Sequence, residues 1–374
     1  MDSKSIGIVT FPINKNGVIP LSNLVDITSC LCPKPYLITG SEGYNHFQND
    51  QSLTVYNIAH TDSHSILKRI LKYLIIQLQI GKIIITSRHD VSTWIFFIGG
   101  SGQIIPLIIA KIVGKKTYLL LAGSEKKGAD IVYHHLAFPV KLLINVGYFI
   151  VDKIVIYSVS LIRTWDLAMY QGKIFIAHEH YFDLNFFTIT APLADRPPLI
   201  GYIGSLGEVK GVQNFIQALP EILSNQPDLR AFVGGDGQLK EAITTALHER
   251  GVTTRVDLPG WISHDTLPKY LNQLRLIVLP SYSEGLPNIM LEAMACGTPV
   301  LATPVGAIPD IIIDGKTGFI MENNSPECIA KNVIRALSSP DLEQIAENGR
   351  RFVEENFTFE KTVENWRRIL QDIE

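Results

Sequence analysis

Residues 283–303, SEGLPNIMLEAMACGTPVLAT, set two carboxylates, Glu284 and Glu292, on either side of a Gly285-Leu286-Pro287-Asn288 corner. Pro287 suits the first position of a helix and Gly297 the residue just past its end, so a helix over 287–296 is predicted. The first turn of such a helix offers backbone N–H groups that favour an anion such as phosphate. Glu292 follows Asn288 by one turn on the same face. A carboxylate only accepts hydrogen bonds; it repels phosphate but can take two from vicinal hydroxyls, as on a ribose. Glu284 can do the same for a second polyol. Phosphate held between two sugars describes a nucleotide-diphosphate sugar. The plainer reading makes Glu292 a surface residue, but Leu291, Ala293, Met294 and Ala295 leave it little solvent face.

Two further stretches join strand-like runs to helix-like ones. In 202–219, YIGSLGEVKGVQNFIQAL, the run ends at Gly204-Ser205 and Lys210-Gly211 opens a helix. A lysine at such a mouth is a compact cation suited to a diphosphate leaving group, although the P-loop spacing is absent. In 232–243, FVGGDGQLKEAI, a strand enters Gly234-Gly235-Asp236-Gly237. This is not the G-x-G-x-x-G pattern, so a nicotinamide cofactor gains no support.

These residues need a scaffold. The chain has 374 residues, which suggests two domains, and 46% hydrophobic against 18% charged residues support large buried cores. A net charge of −3 supplies no field for nucleic acid. Cys30, Cys32, Cys296 and Cys328 match neither a redox pair nor a zinc pattern and suggest reduced thiols in a cytoplasmic protein. The opening MDSKSIGIVTFP reads as a strand rather than a leader. The apolar run 94–114 is broken by Gly99, Gly100, Gly102, Gln103 and Pro106, which fits a strand, turn and helix better than a membrane span.

Strands are predicted over 6–10, 36–39, 53–58, 82–86, 94–98, 116–121, 153–156 and 173–176, with helices over 63–79, 104–113 and 134–149. After the proline-rich 188–198, read as a linker, strands recur over 199–203, 229–233, 255–258, 276–279 and 299–302. Residues 357–373 carry a helical period. This rhythm predicts an α/β chain of two doubly wound, Rossmann-like parallel-sheet domains. Ligands of such sheets bind outside the carboxyl ends of the strands, where the strand order reverses.

Residues 233–336 resemble the donor-binding domain of retaining glycosyltransferases of family 4, which have the GT-B fold. The marks are GDGQL, VDLPGWIS (256–263), LPSYSEGLPNIMLEAMACGTPVLAT, GAIPDII and DGKTGFI (314–320), and IGSLGEVKG extends the match to Ile203. The first half resembles the family in layout and in the glycine-bearing loop NKNG that ends at Gly17. The resemblance implies an acceptor-binding domain over 1–187, a linker over 188–198 and a donor-binding domain over 199–356. The two domains would face each other across a cleft, and a helix over 357–374 would cross back to the first. It implies that Glu284 contacts donor-sugar hydroxyls, Glu292 holds the ribose and Lys210 neutralises the diphosphate. Gly17, Gly204, Ser205, Gly235 and the backbone of Gly285, Leu286, Pro287 and Asn288 would line the donor, with Trp261 and Ile262 beside the base. Lys210 and Glu284 are the catalytic candidates.

Two departures stand out. Ser205 occupies a position where the family usually has arginine, and Gly123-Ser124 one where it often has histidine. Ser124, Glu125 and the His134/His135 pair are therefore candidates for the acceptor side. His178-x-His180 with Asp183 looks like a metal pattern, but it falls where the family has a loop at the cleft rim, and His178 is read there as acceptor-side. No cofactor and no metal are expected. Residues 63–82, with Lys68, Arg69, Lys72 and Lys82, and the apolar 138–153 suggest peripheral contact with an anionic membrane on its cytoplasmic face. The expected partners are a nucleotide sugar and a glycan or lipid-linked acceptor, with no nucleic acid. An epimerase acting on donor alone and a non-catalytic nucleotide-sugar-binding subunit are the alternatives.

Overall fold

A computed structural model describes residues 5–58, 66–124, 126 and 137–371. Glu125, His134 and His135 lie outside the described residues. The chain divides into two compact units: residues 1–181 with 359–374, and residues 182–358.

In the first unit, short β-branched and aromatic runs form seven strands: β1 (Ser5–Val9), β2 (Tyr36–Thr39), β3 (Thr54–Asn57), β4 (Val91–Phe97), β5 (Lys116–Leu120), β6 (Lys153–Ile156) and β7 (Ile174–Ile176). They make one parallel sheet in the order β3-β2-β1-β4-β5-β6-β7. The order grows one way from β1 to β3 and the other way from β4 to β7. Right-handed crossovers therefore put Ile66–Thr86, Ile104–Ile112 and Ala137–Ile150 on one face of the sheet and Val18–Ser29 on the other. Ile66–Thr86 packs on Ile104–Ile112, which packs on Ala137–Ile150. The helix Phe359–Gln371 packs on Val18–Ser29 within this same unit. Its Trp366 Nε1 donates to the carbonyl of His178 at 2.9 Å and Thr362 Oγ1 to that of His180 at 3.1 Å.

The strand predicted over 82–86 is instead the end of the long helix Ile66–Thr86. Local β propensity loses here to tertiary packing. Ile76, Gln77, Ile80, Gly81 and Ile84 are buried while Leu78, Gln79 and Lys82 are exposed, which is the three- and four-residue spacing of a helix and not the alternation of a strand.

The second unit has β8 (Leu199–Ile203), β9 (Arg230–Gly234), β10 (Val256–Gly260), β11 (Leu276–Leu279), β12 (Val300–Ala302) and β13 (Phe319–Ile320). They form a parallel sheet in the order β10-β9-β8-β11-β12-β13. Its core joins sheet residues such as Ile200, Val233, Val278 and Leu301 to Phe215, Leu219, Ile222 and Val333 of the helices. Strand order reverses between β8 and β11, so the loops after these two strands flank a crevice at their carboxyl ends.

Residues 188–198, predicted as a linker, are anchored to this unit. Arg196 is 3% exposed. Its guanidinium donates to the carbonyls of Cys296 at 2.7 Å and Leu274 at 3.0 Å and to Thr298 Oγ1 at 2.7 Å. Burial lowers its pKa to about 10. Asn272 adds a second tie, accepting from the Thr190 amide at 2.8 Å and donating to the Thr188 carbonyl at 2.9 Å. Arg196→Ala would strand several buried carbonyls. It is expected to cost roughly 3 kcal/mol, read as a lower urea midpoint at unchanged slope.

Candidate functional site

The loops after β8 and β11 bring Lys210 and Glu284 together. Lys210 Nζ donates to both carboxylate oxygens of Glu284, at 2.8 and 2.9 Å, and Ser281 Oγ donates to one of them at 2.7 Å. The Glu284 side chain is 8% exposed, whereas Lys210 keeps 36%, so the cation's outer side faces solvent. Backbone contacts hold the loops in register. The Tyr282 amide donates to the Val209 carbonyl at 2.9 Å. Gly211 has φ +68°, and a Cβ there would lie 2.0 Å from the Pro280 carbonyl oxygen. Gly306 has φ +63° and sits against the carbonyls of Glu284 and Gly285, where a Cβ would come within 2.4 Å. The next amide, Ala307, donates to Gly285 at 2.8 Å. GAIPDII is thus the back wall of the Glu284 loop.

The predicted helix spans Asn288–Ala295, with Pro287 as the extended residue before it rather than its first member, and no side chain caps it. Gly297 takes the left-handed conformation expected just past the end, with φ +64°. Glu292, on this helix, is buried, and its Oε1 lies 3.6 Å from His264 Nε2. His264 stacks on Phe186 and meets Phe187 edge-on. Its bond to Glu292 raises the imidazole pKa above 6.5, against an opposing push from desolvation. Sequence reasoning overlooked His264, whose only signal is its place three residues after Trp261.

Ile262 lies over the end of β9, where a Cβ on Gly234 would meet its Cδ1 at 2.2 Å, while Trp261 is 77% exposed. Gly204 and Gly235 adjoin each other: the Gly204 amide donates to Gly234 at 3.0 Å, and Gly235 to Gly260 at 2.7 Å. Ser205 is exposed, and its carbonyl accepts from Tyr202 Oη at 2.7 Å. Leu286 is buried beside Pro287. One unit therefore gathers Lys210, Glu284, Glu292, Gly204, Ser205, Gly235, Trp261, Ile262 and the 285–288 corner.

Gly17 and Ser124 belong to the first unit: Gly17 is the N-cap of Val18–Ser29, and Ser124 is half-buried beyond β5. His178 is buried there, its Nδ1 3.0 Å from the His180 carbonyl, and burial lowers its pKa to about 4. Between them in sequence, Glu179 accepts from Tyr157 Oη at 2.8 Å, and burial pushes its carboxyl up to about 7. Asp183 instead accepts from the Asn185 amide at 2.8 Å. Among the described residues no three His, Cys, Asp or Glu side chains cluster as metal ligands.

Two Rossmann-like parallel-sheet units, one with a lysine–glutamate pair at its switch crevice, define a fold of the GT-B class. Residues 189–352, less than half of the chain, match the family model described as glycosyl transferases group 1. HepE of Anabaena, crystallised with UDP, shares the fold at TM-score 0.77 with 16% identity, over 99% of this chain and 100% of that one. The α-D-kanosaminyltransferase of Streptomyces kanamyceticus is 32% identical over 155 residues, 41% of this chain and 40% of its own. The N-acetyl-α-D-glucosaminyl L-malate synthase of Bacillus anthracis is 30% identical over 182 residues, 48% and 47%. The match spans less than half the length of these curated relatives.

If Glu292 sets the His264 titration, an NMR titration should place the imidazole pKa above 6.5 in the wild type. It should place it lower in Glu292→Gln, where the largest upward push is gone and desolvation is opposed by Asp265 alone. The sign follows from a raised folded-state value: this contribution to stability is complete below the unfolded pKa and disappears as pH rises through the folded one.

Proposed function

We propose that the chain is a retaining glycosyltransferase that moves a hexose or N-acetylhexosamine from a nucleotide-diphosphate sugar to a glycan or lipid-linked acceptor. The observation that carries this reading is the Lys210–Glu284–Ser281 cluster beside the uncapped start of Asn288–Ala295, at the carboxyl ends of β8 and β11. The reading gives each group one task. Lys210 and the backbone N–H groups of Gly285, Leu286 and Asn288 hold the diphosphate, with Lys210 stabilising the charge that grows on the leaving oxygen. Glu284 accepts hydrogen bonds from donor-sugar hydroxyls, and Glu292 from the ribose. Because Ser205 brings no charge, Lys210 is the cation that this cluster offers. The anomeric C–O bond to the diphosphate breaks and a bond to the acceptor oxygen forms on the same face. The acceptor proton passes to the departing phosphate. No metal is needed for these steps. Acceptor binding is assigned to the first unit, with Ser124 as the described candidate, and the protein would work on the cytoplasmic face of an anionic membrane.

A panel of nucleotide sugars should raise the melting temperature for the cognate donor alone, since only the folded state binds it. Lys210→Ala and Glu284→Ala should each lower the rate of transfer by about 10²–10³-fold. Near-normal turnover in either variant overturns the assignment. Conversion of donor alone to a new nucleotide sugar would mark an epimerase, and donor binding without any reaction a binding subunit.

A further inference from the structure

The three helices on one face of the first unit carry apolar side chains on their outer as well as their inner sides. In Ile66–Thr86 the buried stripe is Ile76, Ile80 and Ile84, and the opposite stripe, Leu71, Leu74, Ile75, Leu78 and Ile85, is exposed. Ile112 ends the middle helix at 77% exposure, and Phe138 and Phe149 stand near the two ends of Ala137–Ile150 at 80% and 78%. The helices pack in succession, so these side chains share one face. A helix apolar all round expects cover on both sides, and a patch this wide marks a surface that meets something else.

Charge selects the occupant. The three helices hold Lys68, Arg69, Lys72, Lys82, Lys111 and Lys141 and not one Asp or Glu. Lys111 is ion-paired with Asp152, which lies beyond the third helix. A second copy of this chain docked face to face would bring this cationic surface against itself, since a two-fold interface opposes like patches. An anionic bilayer complements both features, taking the apolar side chains among its acyl chains and the lysines at its phosphates. No described helix is long and apolar enough to cross a membrane.

We infer that the Ile66–Thr86, Ile104–Ile112 and Ala137–Ile150 face is a monotopic docking surface for anionic lipid, with Leu71, Ile112 and Phe149 entering the bilayer. This deepens the membrane part of the proposed function and specifies which surface makes the contact. It requires no sugar chemistry.

Flotation with phosphatidylcholine vesicles, with and without 30% phosphatidylglycerol, tests it. The wild type should float at least tenfold better with the anionic vesicles and lose much of that preference in 0.5 M salt. Lys68→Glu/Arg69→Glu/Lys82→Glu should abolish the preference. Ile112→Ser/Phe149→Ser should lower binding at both salt levels, with melting temperature and nucleotide-sugar stabilisation kept in both variants. Wild-type protein that stays at the bottom with both vesicles overturns the inference. So does concentration-dependent dimerisation that the same substitutions abolish, because the occupant is then a second copy. Vesicle binding without any sugar transfer leaves this inference standing and removes the transferase reading.

Discussion

A carboxylate withdrawn from water must be paired, and the Glu284 side chain, 8% exposed, is paired by Lys210 through both of its oxygens. The pair spans the point where strand order reverses, with one partner after β8 and the other after β11. Much of the second unit's loop chemistry serves this meeting. Gly211 lets the lysine's turn lie against Pro280, Thr303 holds the Ser281 carbonyl at 2.6 Å, and Gly306 backs the loop that carries Glu284. Segments separated by more than seventy residues therefore act as one object. That object pairs a deep carboxylate, held also by Ser281, with a cation that keeps part of its surface in solvent.

Glu292 is handled differently. Its ion-pair partner among the described residues is His264, 3.6 Å away and itself cradled by Phe186 and Phe187. Those two aromatics come from the segment just before the anchored stretch 188–198, so the start of the second unit supports its candidate site as well as its core. The carboxylate raises the imidazole pKa, and an uncharged imidazole leaves Glu292 more available as an acceptor.

The two units repeat one architecture with different outer surfaces. In the second, helices such as Pro326–Leu337 bury one stripe and turn charged residues outward, as Arg335 does to Asp314 and Lys331 to Glu322. In the first, the face built from the three successive helices turns leucine, isoleucine and phenylalanine outward among lysines. The same βα rhythm thus carries a crevice at the strand-order reversal in one unit and an exposed apolar, basic face in the other. What distinguishes them is side-chain choice on positions that the sheet does not use.

The sequence by itself determined the fold class, almost every strand and the candidate residues of the second unit. Alternating β-branched and helical runs are local patterns, and a turn residue such as Gly297 states its geometry in its covalent structure. Only the tertiary structure decided the rest. Residues 82–86 have strand propensity, yet they continue a helix because Ile84 extends a buried stripe begun at Ile76. Arg196 lies in a stretch that reads as a linker, yet it is buried because the carbonyls it satisfies belong to residues some eighty to a hundred positions away in sequence. His178 looks like a ligand on paper and is fixed by a backbone carbonyl and a buried setting. His264 carried no motif, and its meaning comes from a carboxylate that folding sets beside it. Spacing along a chain reports what neighbours in sequence can do, whereas desolvation and charge pairing depend on neighbours in space.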